Sequence, residues 1–143
     1  MHEEVVRARG HENVSAEHES TFEVTSDDWL TPAGDCILAV EADRTPADFD
    51  EAFVDACRDA DATLTATVEV EGPDGETYRQ TVEGRGHPDL SFEGDRSHVG
   101  RTSDYVDDRT ILVGADAAAA DFDRDLVSAL ADGGDVTFSL RVE

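Results

Sequence analysis

No lysine occurs among the 143 residues, and the 11 basic residues, all arginine, face 35 acidic ones for a formal charge of −24. The acids are spread along the chain and not blocked into a tail, so the balance describes the surrounding solvent more than any basic partner. Adaptation to a cytosol of molar salt is the simplest account: there the Debye length is about 3 Å, and carboxylates repel little while their hydration keeps a protein in solution. Net charge then cannot exclude nucleic acid, and arginine position carries the information instead. Cysteine is nearly absent too. Cys36 and Cys57 belong to no Cys-x-x-Cys pattern and read as small buried hydrophobes, not as a disulfide or a metal pair. No apolar run approaches the roughly 20 residues of a membrane span, and the start, Met1-His-Glu-Glu-Val-Val, lacks a basic and an apolar signal region, so the cytoplasm is the expected location. A nucleophile elbow, a Walker loop and a dinucleotide fingerprint are all missing. Trp29, Tyr78 and Tyr105 are the few aromatics open to base stacking, which argues against single-strand binding.

What is present is periodic. Leu30-Thr-Pro-Ala-Gly-Asp35 has the chemistry of a tight turn, and Cys36 to Val40 is a short apolar run suited to a strand covered on both faces. Before it, Val5 to Gly10 and Thr21 to Thr25 read as strands. After it, Thr45-Pro46-Ala47-Asp48 opens a helix whose apolar stripe is Phe49, Ala52, Phe53, Ala56, Cys57 and Ala60. Thr63 to Glu71 alternates cleanly, and Gly72-Pro73-Asp74-Gly75 turns it into a return strand running to Arg85. A second helix carries Phe122, Leu126, Ala129 and Leu130 and stops at Gly133-Gly134. A last strand places Val136, Phe138, Leu140 and Val142 inward.

The chain also repeats. Arg9-Gly10-His11 matches Arg85-Gly86-His87, Val14-Ser15 matches Leu90-Ser91, and Thr25-Ser26-Asp27 matches Thr102-Ser103-Asp104. Ile37-Leu38 matches Ile111-Leu112, Ala42-Asp43 matches Ala115-Asp116, and Asp48-Phe49-Asp50 matches Asp121-Phe122-Asp123. Six matches in one order, at offsets between 73 and 77, suggest two copies of a strand-strand-strand-helix-strand unit. The expectation is a single α+β, mostly β domain, residues 1–72 and 73–143 being its halves, closed or nearly closed as a pseudo-twofold β-barrel with two helices. A two-layer α+β sandwich is the alternative. The Leu30-x-x-x-Gly34-Asp35-x-Ile37 turn resembles that of cradle-loop and double-psi barrels.

Arg9-Gly10-His11-Glu12-Asn13-Val14, Leu30-Thr31-Pro32-x-Gly34-Asp35-Cys36-Ile37, Arg101-Thr102-Ser103-Asp104, Asp108-Arg109-Thr110 and Ala115-Asp116 together resemble the archaeal domain-of-unknown-function family numbered 371, over nearly the whole chain. The resemblance implies an archaeal source and no defined activity. In that family a basic residue often stands where this chain has Ala33, and a lysine where it has Ala117.

Three constellations are candidate sites. On a strand alternate residues share a face, so Arg9 with His11 and Arg85 with His87 would each pair a guanidinium with an imidazole, and a twofold could bring all four around a phosphate or carboxylate. The competing reading is that each histidine satisfies backbone beside a required glycine. Asp35 and Arg109 occupy equivalent turns, which suggests a salt bridge near the axis, or Asp35 as a general base. Asp104, Asp107 and Asp108, in the segment that begins at Arg101, match no metal loop, and no metal or cofactor is expected. Five arginines lie between Arg79 and Arg109. The expected function is a binding module for an anionic small molecule, RNA or a protein, acting as a monomer or small homo-oligomer through Arg9, His11, Asp35, Arg85, His87, Arg101 and Arg109. The alternative is a small-metabolite enzyme with His11 or His87 as acid or base and Arg109 orienting the substrate.

Overall fold

A computed structural model describes residues 2–143. Eight strands run in chain order: β1 (His2–Arg9), β2 (Thr21–Thr25), β3 (Ile37–Ala39), β4 (Thr63–Glu71), β5 (Thr77–Arg85), β6 (Ser97–Arg101), β7 (Thr110–Leu112) and β8 (Asp135–Val142). Helix α1 (Glu51–Cys57) joins β3 to β4, and α2 (Arg124–Ala131) joins β7 to β8. The strands form two four-stranded sheets, one in the order β1-β8-β4-β5 and the other in the order β3-β2-β6-β7.

The first sheet is antiparallel throughout. Its strands bury alternate residues, as the period of two requires: Val136, Phe138, Leu140 and Val142 on β8, and Leu64, Ala66, Val68 and Val70 on β4, are at most 2% exposed. In the second sheet β2 and β6 run antiparallel, and each carries a three-residue parallel strand on its outer side, β3 beside β2 and β7 beside β6. Phe22, Val24, Leu38 and Ile111 turn inward, and Phe53 and Cys57 of α1 and Leu126 and Leu130 of α2 complete the core.

The two sheets do not close into a barrel. They meet through single bridges, Arg9 to Val40 and Arg85 to Val113. The ladders stop there because the chain leaves β3 and β7 through left-handed residues, Glu41 at φ 57° and Gly114 at φ 59°. Side chains then take the place of a strand: the Arg7 N–H donates to Asp43 Oδ1 (2.9 Å) and the Glu83 N–H to Asp116 Oδ1 (3.0 Å). The sheet edges are thus capped by aspartates. The result is a mostly β α+β fold with two sheets and two helices.

The helix expected to start at Pro46 is divided. Pro46–Asp48 forms a 3-10 turn whose Asp48 carboxylate accepts from the Thr45 N–H (2.8 Å), Phe49 is extended at ψ 149°, and Asp50 caps α1 by accepting from the Ala52 N–H. The break turns the Phe49 ring onto Phe53 and Phe92, at 5.5 and 5.9 Å between centroids. In the second sheet Thr21–Thr25 pairs with Ser97–Arg101, so Thr102 follows β6 as Ser26 follows β2, one residue away from the expected match of Thr25 with Thr102.

Candidate functional site at the strand ends

Both Arg-Gly-His segments leave their strands at the glycine. A Cβ on Gly10 would lie 1.9 Å from the Leu130 carbonyl oxygen at the end of α2, and one on Gly86 would lie 2.2 Å from that of Cys57 at the end of α1. The glycines let β1 and β5 abut the C-termini of the helices, an approach no side chain permits. Because β1 ends at Arg9 and β5 at Arg85, His11 and His87 share no strand face with the arginines. Each imidazole instead caps its own turn: Nδ1 of His11 accepts the Asn13 N–H (3.0 Å), and Nδ1 of His87 accepts the Asp89 N–H (3.0 Å).

The two pairs lie at opposite corners of the first sheet. Arg9 faces Asp135 where β8 begins, whereas Arg85 faces Thr63, whose N–H donates to Glu143 just past the end of β8. Seven or eight strand residues separate those points, about 25 Å at roughly 3.3 Å per residue. The four groups do not surround one ligand.

The two arginines also differ in partner. Arg9 forms an ion pair with Glu41. At the corresponding corner Gly114 follows the bridge residue Val113, and the Arg85 Nε lies 3.2 Å from where a Gly114 Cβ would be. Arg85 is exposed and has no carboxylate within ion-pair distance among the described residues.

Arg101 and Arg109 come together on Asp107. Arg101 Nη2 lies 3.0 Å and Arg109 Nη2 3.2 Å from Asp107 Oδ2, while Oδ1 accepts from the Thr110 hydroxyl and the Arg109 N–H, both at 3.0 Å. Burial alone would raise the Asp107 carboxyl, but the Thr110 and Arg109 hydrogen bonds and the Arg101 charge outweigh it and hold the group below its ordinary value. Arg101 also lies over the exposed Tyr105 ring, 4.8 Å from its centroid. This loop reaches the Arg85 corner, since the Gly114 N–H donates to Ser103 (3.0 Å). Arg85, Arg101 and Arg109 are therefore the expected site residues that share one region.

Asp35 is not among them. It is half-buried ahead of β3, where its carbonyl accepts the N–H groups of Glu17 and His18. Because β3 and β7 are the outermost strands of the second sheet, Asp35 and Arg109 stand at opposite edges, and the carboxylate Arg109 pairs with is Asp107. The expected bridge between them is not formed.

A half-buried polar cluster that no sequence motif marks lies beneath α1. Arg44 Nη2 pairs with Glu4 Oε1 (2.8 Å), and Glu4 Oε2 accepts the Asp50 N–H (2.7 Å). His98 Nε2 donates to the Arg44 carbonyl oxygen (2.8 Å), and its ring stacks on Phe49 with centroids 5.3 Å apart. His98 Nδ1 is buried without a hydrogen-bond partner. Glu4, on the inward register between His2 and Val6, was the visible signal. The clefts lie elsewhere: one of about 270 Å³ beside Arg9 and His11 also has Glu12 and Asp132 in its wall, an unsuitable lining for an anion. Neither thiol is poised to react. Burial raises Cys57 to about 12, and burial together with the Glu23 carboxylate raises Cys36 to about 11. Among the described residues no group of three histidines, cysteines or carboxylates is arranged to hold a metal ion, and no helix is long and apolar enough to cross a membrane.

The family model "Domain of unknown function (DUF371)" matches residues 6–143. The chain belongs to that family. It is similar to MJ0206 of Methanocaldococcus jannaschii, described as an uncharacterized protein, with 37% identity over 138 residues covering 96% of this chain and 98% of that one. Membership in DUF371 brings an archaeal relative and no reaction, so a functional reading must come from the geometry at the arginines.

Proposed function

We propose that this DUF371 protein is a cytosolic binding module, made of two copies of one βββαβ unit at residues 1–72 and 73–143, that accepts an anionic group at Arg85. The duplication is supported by hydrogen bonds that recur between corresponding residues. Arg9 and Val40 exchange both backbone bonds as Arg85 and Val113 do, and the Asn13-to-His11 contact recurs as Asp89 to His87. Glu4 accepts the Asp50 N–H in one copy as Gln80 accepts the Asp123 N–H in the other. Archaeal ancestry and the formal charge of −24 support residence in molar salt.

The observation that carries the binding role is the difference between the copies. Glu41 neutralises Arg9, while Gly114 at the corresponding corner leaves Arg85 without a counter-charge. A guanidinium offers five donors in a planar fork suited to phosphate or carboxylate, and in a chain with 35 acidic residues an unclaimed one is an available site. Arg101 and Arg109 share the Asp107 carboxylate in the loop that reaches this corner. The open surface suits a group presented by RNA, a protein or a small compound.

The test is an amide-shift titration of the 15N-labelled protein with inorganic phosphate and, separately, a short single-stranded oligoribonucleotide. Shifts centred on residues 101–115 are expected with at least one probe. They should vanish in Arg85→Gln and in Gly114→Glu, which supplies the counter-charge Glu41 gives Arg9. No shifts with either probe, or shifts unchanged in both variants, would overturn the reading.

A further inference from the structure

Among the described residues, no helix or strand covers the outer face of the first sheet, which is turned away from the core. Register and alternation arrange its side chains in rows across β1, β8, β4 and β5. The middle row is Val5, Ser139, Thr67 and Thr81, which carries no charge. The row on one side is Glu3, Arg141, Thr65 and Glu83, and the row on the other is Arg7, Thr137, Glu69 and Arg79. In a protein of formal charge −24 these twelve residues sum to zero, with a net −1 in one flanking row and +1 in the other.

The charges on the two outer strands are unclaimed within the chain. Glu3, Arg7, Arg79 and Glu83 make no ion pair among the described residues, where the one hydrogen bond of these side chains is Arg7 Nη1 to the Thr137 hydroxyl (3.4 Å). Strand-mates Glu3 and Arg7, and likewise Arg79 and Glu83, sit four residues apart on one face, about 13 Å at roughly 3.3 Å per residue, too far to satisfy each other.

We infer that this face is the interface of a homodimer, whose twofold axis lies in the plane of contact and crosses the strands at the uncharged middle row. That operation lays each strand antiparallel over its own copy. Glu3 of one protomer then faces Arg7 of the other, and Glu83 faces Arg79, so the interface gains four ion pairs from eight unclaimed charges. The uncharged middle row faces itself. The other in-plane axis, parallel to the strands, sets Glu3 against Glu83 and Arg7 against Arg79, and like charges exclude it. Four strands at about 4.8 Å and the five residues spanned by the three rows at about 3.3 Å give each copy roughly 320 Å² of projected face, about 640 Å² in all. That is the size of a weak, transient contact, in which the four ion pairs and not the area select the partner. Arg85 lies beyond the flanking rows, so this contact does not require the anion site.

The test is sedimentation equilibrium of the full chain in concentrated potassium chloride from about 1 to 300 µM, where screening quiets repulsion between two negative molecules. A monomer–dimer equilibrium is expected. Arg79→Glu, which sets like charges opposed at two symmetry-related places, should weaken it roughly tenfold or more, since each exposed pair contributes modestly. The exchanged variant Arg79→Glu/Glu83→Arg should restore it, and Thr67→Glu at the self-facing middle row should abolish it. Circular-dichroism melts of each variant confirm folding. A monomer across the whole range overturns the proposal. So does a dimer that Arg79→Glu strengthens or leaves unchanged, or one that the exchange fails to restore.

Discussion

Replacing His98 with phenylalanine should remove most of the acid sensitivity of this fold between neutral pH and pH 5. The side chain is fully buried on β6, and burial pushes its imidazole down from 6.5 to about 4. The Arg44 guanidinium adds to that push. The hydrogen bond to the Arg44 carbonyl and the Asp48 charge act the other way and are outweighed. Between the two values the unfolded chain binds a proton that the folded chain refuses. Stability is therefore full above about pH 6.5 and falls as the pH drops toward 4. The whole interval corresponds to about 3 kcal/mol, of which about 2 kcal/mol is lost between pH 7 and pH 5.

Phenylalanine keeps an aromatic ring at the position where His98 stacks on Phe49. The substitution gives up the bond to the Arg44 carbonyl, about 1 kcal/mol, and relieves the unpartnered Nδ1, an offset of similar size. Urea unfolding of the two proteins from pH 7 to pH 5 isolates the imidazole, because every carboxylate titrates in both. The expected result is near-equal stability at pH 7 and a variant more stable by about 2 kcal/mol at pH 5. Parallel curves would refute the reasoning, since they would mean that the imidazole takes up its proton in the folded chain as readily as in the unfolded one.

Gly10→Ala and Gly86→Ala should each cost about 2–3 kcal/mol, because the new methyl meets a backbone oxygen at 1.9 or 2.2 Å and the strand end must move. Thermal melts check this, and a loss below about 0.5 kcal/mol at either site would show that the helix end yields freely. Residence in molar salt predicts a lower melting temperature in dilute buffer than in concentrated potassium chloride, and coincident circular-dichroism melts would count against it.

Where the sequence was legible, the signal was local. β2, β4 and β8 showed themselves through strict alternation, and the hairpin at Gly72 to Gly75 through its turn chemistry. Barrel closure was not legible, because it depends on whether β3 and β7 extend far enough to ladder with β1 and β5. That is decided by the left-handed exits at Glu41 and Gly114 and by Asp43 and Asp116 capping strands more than 30 residues away. The face shared by arginine and histidine failed for a related reason. Gly10 and Gly86 end their strands to meet the helix ends, a tertiary contact that leaves no periodic trace. Asp107 was hidden by composition: an aspartate cluster reads as a solvated loop in so acidic a chain, until the parallel pairing of β6 and β7 brings Arg101 beside Thr110 and makes Asp107 the hub.

The excess of acid makes the arginines without acidic partners informative. With 35 carboxylates for 11 guanidinium groups, an arginine meets an acid readily, and among the described residues seven do. Of the other four, Arg124 is engaged by backbone carbonyls, including those of Phe122, Ala119 and Ala16, and holds the start of α2 to the loop before β2. Arg7, Arg79 and Arg85 all lie on the outer side of the first sheet. Arg7 and Arg79 have symmetry-related acids awaiting them in a second copy, and Arg85 lies beyond the rows that meet, so the two proposed roles divide these arginines without overlap. The division is itself exposed to test. Gly114→Glu should silence the phosphate response while the dimer persists, and Arg79→Glu should weaken the dimer while that response persists. Loss of both properties together in either variant would mean that a single interface had been mistaken for two.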